Sequence, residues 1–65
     1  MKKKELKTLA QKIAKAELVI QKSSDKKEIN DAKKRIMELS NQAIELEDIL
    51  ALDEMVQEIL ANHLS

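Results

Sequence analysis

The sequence predicts an all-α protein: an antiparallel helical hairpin that associates through a surplus apolar face into a helical bundle. Three observations predict it. Apolar residues recur at alternating spacings of three and four in two long stretches, the period that keeps one stripe of a helix turned toward a partner. The two stripes fall out of phase across a polar stretch, Ser23-Ser24-Asp25. Pro is absent, and the strong helix formers Ala, Leu, Glu, Lys and Gln dominate both stretches. At 65 residues the chain reads as one helical domain over 1–65.

The first helix is expected over about residues 3–22. Its stripe is Leu6, Leu9, Ile13, Ala16 and Ile20. The second is expected over about 26–50, with Ile29, Ala32, Ile36, Leu39, Ala43, Leu46 and Leu50. The last stripe residue of the first run and the first of the second, Ile20 and Ile29, are nine positions apart. At about 100° per residue that is about 900°, half a turn out of register. One straight rod would therefore carry its stripes on opposite sides, whereas a turn lets both face each other. Asp25 can cap the second helix with Glu28 three residues on, as a capping box requires, and Ser24 is the competing cap.

Beyond Leu50 the register slips. Asp53 takes the next stripe position, and the apolar residues become Ile49, Leu52, Val56 and Ile59, one position early. The reading favours a continuation of the second helix. The alternative is a short third helix over about 53–62 with Asp53 as its N-cap. A first helix of about 30 Å cannot cover a continuous helix of about 55 Å. The uncovered end, with Leu52, Met55, Val56, Ile59 and Leu60, would fold back or meet another chain.

Composition excludes several kinds of chemistry. Without Gly there is no phosphate-cradling loop or dinucleotide fingerprint, without Cys no disulfide or thiolate site, and without aromatics no base-stacking platform. His63 has Ile59 and Leu60 at the spacings where a metal carboxylate partner would stand. The pairs Glu45/Asp48 and Glu54/Glu58 share helix faces and read as solvated or cation-paired. Ser23, Ser24 and Ser40 lack a neighbouring base, so nucleophilic catalysis has no support. The expectation is a protein that is not an enzyme and takes no cofactor, metal or small-molecule substrate. Lys2-Lys3-Lys4 is followed by a charge-interrupted stretch, so neither a signal peptide nor a membrane partner is expected, and the chain reads as cytoplasmic. The order Leu39-Ser40-Asn41-Gln42 lacks the Ser-Gln-x-Leu-Asp order of small sporulation phosphatases, so no family follows from it.

The formal charge is zero but unevenly laid out. Residues 1–35 hold all twelve Lys and Arg against five acids, a charge of +7; residues 36–65 hold seven acids and no Lys or Arg, −7. Such halves attract each other, within one chain or between two. Chains this small usually need a disulfide, a metal or a partner subunit, and only the last is open here. A homodimer, in the manner of a four-helix bundle with coiled-coil seams, is the expected assembly.

The expected function is therefore a small helical protein–protein interaction module, a regulator or adaptor that binds itself and other helical proteins. Its expected interface is Leu18 and Val19 beside the first stripe, Met37 and Ile44 flanking the second, and Leu52, Met55 and Val56 at the uncovered end. The alternative is a nucleic-acid-binding regulator. Lys4, Lys15 and Lys22 align opposite the first stripe with Lys12 nearby, and would meet DNA or RNA phosphates without reading sequence.

Overall fold

The computed structural model describes residues 1–64, with the Leu64 side chain and Ser65 outside the description. It is all-α, with α1 at Lys3–Lys22, α2 at Lys26–Ser40 and α3 at Leu46–Leu64. The first helix and the turn after it lie where the sequence places them.

That turn is made without any residue at positive φ, which suits a chain lacking Gly. Ser23 takes an extended conformation as its N–H closes on the Val19 carbonyl at 2.8 Å, ending α1. Asp25 caps α2, accepting from the Lys27 N–H at 3.0 Å; Ser24 does not serve as the cap. Glu28 does not reach back to Asp25, as a capping box would have it. The Asp25 N–H donates to Ser23 Oγ at 3.2 Å, and the Ser23 hydroxyl donates to Glu28 Oε2 at 2.7 Å. Ser23 thus relays between cap residue and carboxylate.

The second helix is shorter than expected. It stops at Ser40, not near residue 50, and the third begins at Leu46, not at Asp53. Neither the long continuous helix nor an Asp53 cap is present: Asp53 sits exposed within α3. The local cause is the polar Ser40-Asn41 pair, weak in helix propensity. There the ladder tightens to bonds three residues apart, Gln42 N–H to Leu39 O at 3.2 Å and Ala43 N–H to Ser40 O at 3.1 Å. The helix restarts with Ile49 N–H on the Glu45 carbonyl at 3.0 Å. The global cause is burial. A helix running straight on would leave Leu52, Val56 and Leu60 beyond the end of α1, whereas the break turns them back onto it.

The core gathers Leu6, Leu9, Ala10, Ile13 and Ala14 of α1, Ala43 of the second loop, and Leu52, Val56 and Leu60 of α3. Ile36 and Leu39 of α2 pack against it half-buried. The central element is α1, which packs against both α2 and α3; those two touch each other far less. The wholly buried Ala10 and nearly buried Ala14 let a second helix approach α1 closely. The result is a flattened body of 34 × 27 × 16 Å. Its large core side chains all keep a trace of exposure, from 4% at Val56 to 7% at Leu60, so the core is one layer deep.

Candidate interaction face

Because α2 and α3 sit side by side on α1 without closing on each other, a cleft of about 180 Å³ remains between them. Its floor is Ile13 and Glu17 of α1. Ile36 and Ser40 of α2 form one wall, and Ile49, Leu52, Asp53 and Val56 of α3 the other. At about 100° per residue, Lys33 and Met37 follow Ser40 outward around α2, while Leu46 and Leu50 follow Asp53 outward around α3. The cleft therefore opens onto a face bordered by large apolar side chains. Met37 is 66% exposed, Leu46 70%, Leu50 61%, and Ile44 in the connecting loop 85%. Hydrophobes this exposed and this close together mark contact surfaces more often than chance decoration.

The structure sorts the expected interface residues into three groups. Met37 and Ile44 are exposed, Met37 on the border of this face and Ile44 in the loop at its end. Leu18 and Met55 are half-buried against the core, and Val19 is exposed on the other side of α2, in the crevice with α1. Leu52 and Val56 are buried in the chain's own core. As partner contacts these two are a correction: the fold-back of α3 uses them internally. Leu46 and Leu50 were missed as surface residues because the three-four spacing runs unbroken through Ala43, Leu46 and Leu50, although the backbone does not. The polar Ser40-Asn41-Gln42 stretch was the signal that could have found them.

The lysines of α1 are exposed, as expected. Lys12 and Lys15 line the α1–α2 crevice of about 530 Å³ with Ala16, Val19 and Leu39. Arg35 of α2 joins them from the opposite wall, a cation the single-helix view of this stripe did not include. Lys4 lies further along α1 in a recess with Lys2 and Gln42, and Lys22 lies at the other end beside Ser23 and Glu28.

The Met1 amine donates to Asp48 Oδ2 at 3.1 Å, the one ion pair among the described residues. The hydrogen bond to Asp48 and its negative charge hold the amine above its ordinary pKa of 8.0. Asp48 also stands in the first turn of α3, where the helix dipole favours an anion. Among the described residues the other acids of α3 and the lysines of α2 carry no ion pair.

Among the described residues no cluster of His, Cys, Asp and Glu could hold a metal, and no helix is long and apolar enough to cross a membrane. No family model, curated protein or solved structure matches this chain.

Proposed function

We propose that this chain is a non-enzymatic protein–protein interaction module, a small cytoplasmic regulator or adaptor that works by helix-to-helix contact, with itself and with other helical partners. The open α2–α3 face is where it binds. The observation that carries the reading is the exposure of Met37, Leu46 and Leu50, which helical phase sets beside the walls of one cleft, with Ile44 exposed in the loop that joins the two helices. A core one layer deep adds to it, because small chains commonly complete their burial with a subunit. Sedimentation equilibrium across the micromolar range tests the reading. The wild type should self-associate and Leu50→Lys should remain monomeric, with unchanged helicity by circular dichroism. A wild type that is monomeric throughout and captures no helical partner would refute it.

A second reading rests on a separate observation. Lys12, Lys15 and Arg35 converge on one crevice, a setting suited to phosphates, although Glu28 and Asp31 line its continuation beyond Arg35. Fluorescence anisotropy with duplex DNA and structured RNA at two salt concentrations tests it. Binding that weakens with salt and is lost in Lys12→Ala/Lys15→Ala/Arg35→Ala supports the nucleic-acid reading; no binding at low salt disposes of it.

A further inference from the structure

The open face is electrically lopsided. Its α2 border carries Lys26, Lys33 and Met37, all exposed, within an arc of about 40° at 100° per residue. Its α3 border carries Leu46, Leu50 and Asp53, also exposed, within about 60°. Glu54 lies just beyond the α3 border. Among the described residues none of these charged groups has an ion-pair partner: the single pair there, Met1 with Asp48, is elsewhere. One border is therefore apolar and cationic, the other apolar and anionic, with the cleft between them.

We propose that the occupant of this face is a second copy of the chain, related by a two-fold axis running along the cleft. This rests on the reading of the face given above and names its partner. Face-to-face two-fold pairing has two simple choices of axis. An axis across the cleft would set each α2 on the other α2 and each α3 on the other α3, lysines on lysines and carboxylates on carboxylates. An axis along the cleft sets each α2 on the partner's α3. An isologous contact uses every complementary pair twice, so the second arrangement gains both attractions and the first suffers both repulsions. The heights also agree. Asp53 and Ile36 line the same cleft, and Lys33 stands one turn from Ile36. Rotation about an axis along the cleft keeps each residue at its own height, so the copy's carboxylate border arrives level with the Lys33 turn. Met37, Leu46 and Leu50 then supply the apolar contact on the side of those charges nearer the second loop.

Two charge-reversed chains test the arrangement: Lys26→Glu/Lys33→Glu, with both borders anionic, and Asp53→Lys/Glu54→Lys, with both cationic. Each alone should dimerise at least about tenfold more weakly than wild type, as expected when like charges are juxtaposed, with helicity kept. Mixed in equal amounts they should form a heterodimer close to wild-type affinity, because both contacts are then complementary. Reversals that leave dimerisation untouched, or a mixture that does not associate, would overturn the two-fold pairing. If Leu50→Lys still abolishes association in that case, the face itself stands and only its charge register is wrong. A wild-type monomer that binds a lysine-rich amphipathic peptide instead assigns the face to a foreign helix and overturns the self-pairing.

Discussion

Ser23 and Glu28 are joined across the α1–α2 turn by a 2.7 Å hydrogen bond from the serine hydroxyl to the carboxylate. The same hydroxyl accepts the Asp25 N–H at 3.2 Å, so one side chain ties the end of α1 to the first turn of α2. Turns without Gly need such fixtures, since no residue here takes the left-handed conformation that usually closes a helix. Asp25→Ala should cost about 1 kcal/mol, the usual worth of an N-cap, seen as a melting temperature about 4–8 °C lower. Ser23→Ala should cost a comparable amount, and Ser24→Ala less than about 0.5 kcal/mol, as for a surface position with no such bond. A larger loss at Ser24 than at Asp25 would move the cap.

The ending of α2 at Ser40 makes a sharp prediction about which leucines hold the fold together. Leu52 and Leu9 are core, whereas Leu46 and Leu50 are surface, although all four sit in regular apolar stripes. Leu9→Ala or Leu52→Ala should cost about 2–5 kcal/mol, enough to unfold a chain this size at room temperature. Leu46→Ala and Leu50→Ala should change monomer stability by less than about 0.5 kcal/mol. Urea titrations at concentrations too low for association separate the two pairs. Equal losses in both would require α2 to run on past residue 43.

What the sequence revealed and what it concealed both follow from the range of the forces involved. The α1 span and the turn after it were legible because their signals are local: a five-member stripe, a phase reversal, an aspartate in cap position. The second break was concealed by a coincidence of spacing. Ala43, Leu46 and Leu50 continue the α2 stripe in number, but only Ala43 is buried. The slipped run through Leu52 and Val56 was the true stripe of α3, and its significance depended on what α1 could cover, a tertiary fact. The candidate face was half legible for the same reason. Met37 and Ile44 stood out as surplus to a seam, while Leu46 and Leu50 passed as members of one. Arg35 was missed because its neighbours in the crevice, Lys12 and Lys15, come from another helix.

The wholly buried Ala10 marks the tightest point of the packing. It lies on the face of α1 that receives a neighbouring helix, with Leu6, Ile13 and Ala14 one turn away on either side, and has no surface open to solvent. Ala10→Leu should destabilise by about 1–3 kcal/mol through overpacking, despite leaving helix propensity nearly unchanged. Ala61→Leu, at an exposed position late in α3, adds the same group without the crowding and should stay within about 0.5 kcal/mol of wild type. Thermal melts of both variants decide whether close approach, and not the added hydrophobicity, governs the effect.

The contact between the Met1 amine and Asp48 should make folding sensitive to alkali. Asp48 raises the amine's pKa above 8.0 through its hydrogen bond and its charge, so the folded state holds the proton more tightly than the unfolded chain. The sign follows from linkage: the contribution is complete below about pH 8, where both states are protonated, and fades as pH rises through the raised value, where the folded state loses it too. The amine is solvent-accessible, so the effect is small and weakens with salt. Stability measured by urea titration should fall between pH 7 and pH 10 in the wild type at low ionic strength. The comparison with Asp48→Asn isolates the contact: the variant should lose less over the same range, and N-terminal acetylation should have the same effect. Identical slopes in wild type and both controls would show that the amine and Asp48 do not couple folding to pH.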